Sequence, residues 1–104
     1  MSDAGGQDGQ SSGADQDLAE LTRGFLRRKQ EEFVPLSRGP RLDLEGLANA
    51  AHRLRGSGGA YGFDVLSDIA ERLEQAAARE QHDAARQALT ELLALLDSLQ
   101  AQTP

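Results

Sequence analysis

Residues 44–62, LEGLANAAHRLRGSGGAYG, form the stretch from which the fold of the chain can be predicted. Small and apolar residues recur here at intervals of three and four, which is the spacing of one face of an α-helix. This seam consists of Leu44, Leu47, Ala51, Leu54, Gly58 and Tyr61. We therefore predict a helix from about Asp43 to Tyr61. Glycine is less favourable than alanine inside a helix by about 1 kcal/mol, so the glycines of this stretch indicate a packing or functional requirement.

His52 lies away from this seam. At about 100° per residue, the imidazole falls roughly 130° from the centre of the seam, so we expect it on the exposed flank of the helix. The same flank carries Ala48 one turn before the histidine, and Gly56 and Gly59 one and two turns after it. These small side chains predict a flat strip that a second protein surface can approach. Arg55, three residues after the histidine, is close enough to interact with a group attached to the ring.

The residue types on this flank favour phosphoryl chemistry. A free histidine has a pKa of about 6.5, so most of it is neutral at pH 7, and a neutral imidazole is a nucleophile towards phosphorus. Attack on an activated phosphoryl group would form a phosphohistidine, and Arg55 would offset part of its charge. Arg53 projects to a different side, and we expect it to be solvated or to face a partner. The alternative is a surface histidine without a function, which the surrounding glycines disfavour.

Three further segments have helical periodicity. The first extends from about Leu18 to Leu36, and Pro35 is expected to bend or end it. Its apolar face contains Leu18, Leu21, Phe25, Phe33 and Leu36. The other two cover about residues 65–79 and 84–100. Four amphipathic helices with short connections predict an all-α fold, an antiparallel up-down four-helix bundle.

Residues 1–17 differ from the rest of the chain in composition. They are rich in Gly, Ser, Asp and Gln, and they contain four aspartates but no lysine or arginine. Such a segment cannot bury enough apolar surface to offset the entropy of ordering, so we predict a disordered acidic tail before a bundle of residues 18–104. Of the net charge of −6, the tail carries −4, which leaves −2 for the bundle.

Composition also excludes several classes of function. The acidic charge argues against non-specific nucleic-acid binding. The chain has no cysteine, which excludes a disulfide framework, a thiolate metal site and a cysteine nucleophile. No apolar run approaches the roughly 18 residues of a membrane span, and the polar N-terminus does not resemble a signal peptide. We therefore expect a cytoplasmic protein.

The run His52-Arg53-Leu54-Arg55-Gly56-Ser57 resembles the His-x-Leu-Lys-Gly-Ser core of histidine-containing phosphotransfer (Hpt) domains. The similarity continues through Gly62 and Leu66 to Leu73-Glu74. The layout of the helices extends it from about residue 18 to residue 99. The resemblance implies a four-helix bundle whose exposed histidine accepts and donates a phosphoryl group.

The resemblance also implies roles and partners. His52 would be the phosphoacceptor, Arg55 would replace the usual lysine as the charge that stabilises the phosphoryl group, and Gly56 and Gly59, with Ala48 before them, would allow a partner to approach. The implied partners are the receiver domain of a response regulator and a hybrid sensor histidine kinase. The receiver would supply the aspartate and Mg²⁺, so we expect no cofactor in this chain. The sequence contains no ATP-binding motif of a kinase, and we expect a monomeric phosphocarrier without kinase activity of its own.

Two other classes of function are weighed against this hypothesis. A helical adaptor would keep the fold and signal by binding alone, but it would not need His52 together with Arg55. A metal site would need more ligands than the sequence provides, since His82 lies in a different connection and is expected to be a surface loop residue. The adjacent carboxylates Glu31 and Glu32 face different directions, which disfavours an acid–base enzyme.

Overall fold

The computed structural model describes the backbone of residues 2–103 and the side chains of residues 17–103. Its helices are α1 (Ser2–Leu36), α2 (Leu44–Ala60), α3 (Asp64–Ala78) and α4 (His82–Gln102). This described part contains no strand. Each helix packs against its neighbours in the chain, and α4 closes the ring by packing against α1. The predicted all-α four-helix bundle is therefore confirmed.

The start of α2 agrees with the sequence. Oδ1 of Asp43 accepts a hydrogen bond from the backbone N–H of Gly46 at 3.0 Å, so Asp43 is the N-cap. Glu45 lies in the first turn, where a negative charge interacts favourably with the helix dipole. The seam is buried along most of its length, and this orientation of α2 determines which residues of the helix face outward.

Leucine and alanine form most of the core. The largest fully buried side chains are Phe33, Leu26, Leu47, Leu54, Leu66, Leu73, Leu89, Leu92 and Leu96. All four helices contribute to this cluster, and none of the described polar or charged residues is buried in it. The outward positions of the bundle therefore carry all the described groups that could perform chemistry.

α1 begins at Ser2, well before the start near Leu18 that the apolar pattern predicts, and it ends at Leu36, one residue after Pro35. The disorder predicted for residues 1–17 stays a prediction, because the side chains of residues 1–16 lie outside the described residues.

Leu18 and Leu21 correct the predicted core face of α1. Both were expected inside the bundle, but they are 61% and 59% exposed. The ring of Phe25, further along α1, stacks on Tyr61, the residue that ends α2, with 4.1 Å between the ring centroids. α1 thus continues past the end of α2, and the two leucines lie beyond that end.

Two connections end their helices with the same motif. Gly62 after α2 and Glu80 after α3 both have a left-handed backbone, with φ of 83° and 57°. The closing hydrogen bonds run from the Phe63 N–H to the Gly58 carbonyl and from the Gln81 N–H to the Ala76 carbonyl, each 2.8 Å long. This is the Schellman arrangement, which favours glycine at the left-handed position. Gly62 satisfies that preference, whereas Glu80 adopts a conformation that is strained for a residue with a side chain.

Candidate functional site

His52 lies on the outer side of α2, opposite the residues that pack in the core. Its side chain is 62% exposed. Ala51 and Leu54, close to it along the helix, are fully buried. The ring is therefore held on a regular helix and is accessible to a second protein.

Glu74 of α3 binds one ring nitrogen of this histidine. Its Oε2 lies 2.8 Å from Nδ1 of His52. An ionised carboxylate only accepts hydrogen bonds, so Nδ1 carries the hydrogen in this contact. In the neutral ring the lone pair is then on Nε2. Within the part of the chain that the structure describes, no group forms a hydrogen bond with Nε2. The contact therefore selects the tautomer and leaves a nucleophilic nitrogen available.

Arg55 lies between the histidine and two carboxylates of α3. Its Nη1 is 3.2 Å from Oε1 of Glu74 and 4.0 Å from Oε1 of Glu71. Its Nη2 is 3.5 Å from Nδ1 of His52. Both of these nitrogens are donors when Nδ1 carries its hydrogen, so this last contact is proximity and not a hydrogen bond.

The carboxylate of Glu74 depends on this arginine. Its Oε1 is buried from solvent and has no hydrogen bond of good geometry among the described residues. The guanidinium of Arg55 is the nearby positive charge that balances it. Because 41% of the Arg55 side chain is exposed, the guanidinium has room to reach a group attached to the ring of His52.

The hairpin of α2 and α3 brings these four residues together. His52 and Glu74 each lie eleven residues from Phe63 in the connection, and Arg55 and Glu71 each lie eight residues from it. The sequence-based interpretation included Glu74 only as part of the family pattern and gave no role to Glu71. Their equal distances from the turn are the signal that could have identified both carboxylates.

The small residues beside the histidine fall into two groups. A Cβ added at Gly56 would meet no atom within 4 Å, and one added at Gly59 would meet only Oγ of Ser67, at 3.6 Å. Both positions are exposed, while Ala48 is half-buried. Gly58 differs, because a Cβ there would lie 2.9 Å from the same Oγ. Gly56 and Gly59 leave open space next to the ring, whereas Gly58 allows α3 to pack closely on α2.

Arg53 is engaged within the chain, which the periodicity of α2 did not reveal. Its Nη2 donates to Oε2 of Glu32 on α1 at 2.6 Å, and Nζ of Lys29 donates to the other oxygen at 3.3 Å. Burial alone would raise the pKa of Glu32, but the hydrogen bond from Arg53 and the charge of Lys29 outweigh it, so the pKa is lowered. This flank of α2 is thereby tied to α1, away from the carboxylates of α3.

His82 has a different environment from the one expected. It is the first residue of α4 and is half-buried, so the interpretation as a surface loop residue is wrong. Its Nε2 accepts a hydrogen bond from the backbone N–H of Leu42 at 3.1 Å. Nη2 of Arg86 donates to the carbonyl of Gly39 at 3.2 Å. The connection between α1 and α2 is therefore fastened to the start of α4.

The described side chains contain no group of three or more His, Cys, Asp or Glu that could hold a metal ion. The expectation that the chain has no cofactor of its own stays a prediction. No helix in the described residues is long and apolar enough to span a membrane.

Comparison with known proteins identifies the family of the chain. A family model described as the Hpt domain matches residues 11–102. Comparisons with curated proteins and with solved structures found no match. Hpt domains are phosphocarrier modules of two-component systems that interact with response-regulator receivers. Because the match covers nearly the whole sequence, the chain belongs to the Hpt domain family.

Proposed function

We propose that this chain is a phosphorelay intermediate that accepts a phosphoryl group on Nε2 of His52 and passes it to or from the aspartate of a receiver domain. The observation that carries the proposal is the 2.8 Å contact between Nδ1 and Glu74 on a ring that is 62% exposed. It supports Nε2 as the nucleophilic atom. Membership of the family supports the class of chemistry, and the geometry supports the choice of residue.

The transfer step follows from this tautomer. The lone pair of Nε2 attacks the phosphorus of an aspartyl phosphate, the N–P bond forms as the P–O bond to the aspartate breaks, and the aspartate leaves as a carboxylate. Nδ1 keeps its hydrogen, so the phosphorylated ring is positively charged, and the carboxylate of Glu74 stabilises that charge. In the reverse direction the aspartate attacks phosphorus, and the electron pair of the N–P bond returns to Nε2. Neither direction requires a proton to move.

Arg55 supplies positive charge for the phosphoryl oxygens. Its Nη2 lies 3.5 Å from the ring, so a small movement of the guanidinium is enough to form charge-assisted hydrogen bonds with a group on His52. Arginine presents a planar fork of donors, whereas the lysine usual in the family presents a single charged point. We expect the Mg²⁺ of the reaction to be held by the receiver.

The open strip beside the ring would receive the partner. Gly56 and Gly59 leave space on the C-terminal side of His52, and Ala48 is the small residue on the other side. A receiver domain could therefore bring its aspartate close to Nε2. In this proposal the chain is a cytoplasmic monomer without kinase activity, and it takes part in a relay with a hybrid sensor histidine kinase and a response regulator.

The experiment that tests the proposal follows a labelled phosphoryl group. Receiver domains from the source cell are phosphorylated on aspartate with labelled acetyl phosphate and mixed with the chain. We expect label on the wild-type chain, none on H52Q, and normal labelling of H82Q, which removes the other histidine. Circular dichroism of H52Q should match that of the wild type, because the side chain lies outside the core.

Label on H52Q would contradict the assignment of His52. A chain that binds a receiver but takes no label from any of them would support the adaptor alternative.

A further inference from the structure

Glu71 competes for the arginine that a phosphoryl group on His52 would need. Nη1 of Arg55 lies 4.0 Å from Oε1 of Glu71 and 3.2 Å from Oε1 of Glu74. The two carboxylates do not have the same role, since only Glu74 also binds Nδ1 of the histidine. In the described structure Glu71 has no ion pair other than the one with Arg55.

The charges at the site show what this competition does. Before phosphorylation, the guanidinium of Arg55 faces two carboxylates and the ring of His52. A phosphoryl group brings negative charge and strong acceptor oxygens to the same place. Nη2 is the side of Arg55 nearest the ring, and Nη1 becomes available to those oxygens only when it leaves the carboxylates. Any attraction between Arg55 and Glu71 in the resting state therefore opposes the phosphorylated state.

We propose that Glu71, acting through Arg55, lowers the stability of phosphohistidine at His52 and so shifts the phosphoryl group towards the receiver. This inference rests on the proposed function. It concerns the equilibrium in which the N–P bond of His52 is exchanged for the P–O bond of the receiver's aspartate. Glu71 does not touch the reacting atoms, so it is a positioning residue for Arg55.

The size of the effect follows from the exposure of the pair. The side chains of Arg55 and Glu71 are 41% and 51% exposed, so their attraction is screened by water. Exposed ion pairs of this kind change an equilibrium by about 1.4- to five-fold. We expect E71Q to raise the ratio of phosphorylated chain to phosphorylated receiver at equilibrium by a factor in this range.

The matched control is D68N, which removes one negative charge from an exposed position of the same helix. The charge of Asp68 acts on Arg72, and among the described residues the carboxylates that pair with Arg55 are those of Glu71 and Glu74. We expect D68N to leave the phosphoryl equilibrium unchanged. In thermal unfolding followed by circular dichroism, the midpoint temperatures of E71Q and D68N should differ from that of the wild type by the same small amount.

The test measures the equilibrium distribution of label between the chain and a receiver for wild type, E71Q, R55Q and the double variant E71Q/R55Q. We expect R55Q to lower the fraction on the chain. We also expect E71Q to shift the equilibrium less than half as much in the R55Q background as it does in the wild-type chain. An unchanged equilibrium in E71Q, or an equal shift by E71Q in the R55Q background, would overturn the inference. Absence of label on the wild-type chain would instead overturn the proposed function.

Discussion

The two histidines of this chain use opposite ring nitrogens. His52 holds a carboxylate with Nδ1 and is exposed, so its Nε2 is available to a partner. His82 uses Nε2 to accept the backbone N–H of Leu42, and it is half-buried. The same side chain is therefore open to a partner in one place and joins two segments of the chain in the other. Two properties distinguish the histidines: which ring nitrogen is hydrogen-bonded within the chain, and whether the other nitrogen is exposed. The presence of a histidine in the sequence reveals neither.

Removal of the carboxylate at His52 should give the largest change. In E74A the hydrogen on Nδ1 loses its partner and the phosphorylated ring loses its counter-charge, so we expect label transfer from a receiver to slow by about 10- to 100-fold, the worth of a hydrogen bond to a charged group. E74Q should lie between E74A and wild type, because the amide oxygen still accepts from Nδ1 but carries no charge. Rapid-quench measurements of label transfer check this. A wild-type rate in E74A would mean that the contact does not prepare the ring.

At His82, the corresponding change should affect stability and not transfer. H82L leaves the N–H of Leu42 without its acceptor, which we expect to lower the free energy of unfolding by about 1–3 kcal/mol. H82Q should lower the free energy of unfolding less than H82L, because its amide oxygen can accept the same hydrogen bond. Urea denaturation measures the loss, and a transfer assay on the folded protein is the control. A slower transfer in H82L would remove the distinction between the two histidines.

The turns next to the two helices that carry the histidines provide a smaller contrast. Glu80, two residues before His82, is left-handed without being glycine, whereas Gly62 has the same conformation after α2. We expect E80G to raise the free energy of unfolding by about 0.5–1 kcal/mol, since relief of strain exceeds the added entropy of the unfolded chain. G62A should instead lower the free energy of unfolding. Thermal denaturation measures both, and destabilisation by E80G would contradict the strain argument.

The smallest effect is expected at Arg53, the neighbour of His52 that contacts α1. The lowered pKa of Glu32 means that its ionised form stabilises the fold above its ordinary value of 4.5, and that this contribution is lost as the pH falls through the folded pKa. E32Q should therefore lower the free energy of unfolding at pH 7 by less than about 1 kcal/mol. The difference from wild type should shrink in an acid denaturation series as the pH falls below 4.5. If the difference between E32Q and wild type stayed the same at acid pH, the ion pair would not be its cause.

Helical periodicity was sufficient to predict the elements and the outward position of His52, because both depend on residues close together in the chain. It placed Leu18 and Leu21 in the core incorrectly, since the pattern of one helix does not report where its neighbours end. α2 ends at the level of Phe25, and the leucines lie beyond it.

The carboxylates of the site were not predictable in the same way. Glu74 and Glu71 meet His52 and Arg55 through the register of two helices, which depends on the length of the turn around Gly62. The environment of His82 depends on a contact with Leu42, forty residues earlier in the chain. The contact between His82 and Leu42, unlike the pairs across the turn, has no such signal in the sequence and requires the packed structure.

The hairpin of α2 and α3 limits where residues can be inserted into this chain. One residue inserted within either helix between His52 and Glu74 would change the rotation of one side chain relative to the other by about 100° and shift it by about 1.5 Å, which separates the carboxylate from Nδ1. The number of residues between these two positions, 21, is therefore constrained, whichever amino acids occupy them. Insertions before α2 leave that interval intact. Among related chains, gaps in an alignment should avoid the hairpin and collect in the connection between α1 and α2.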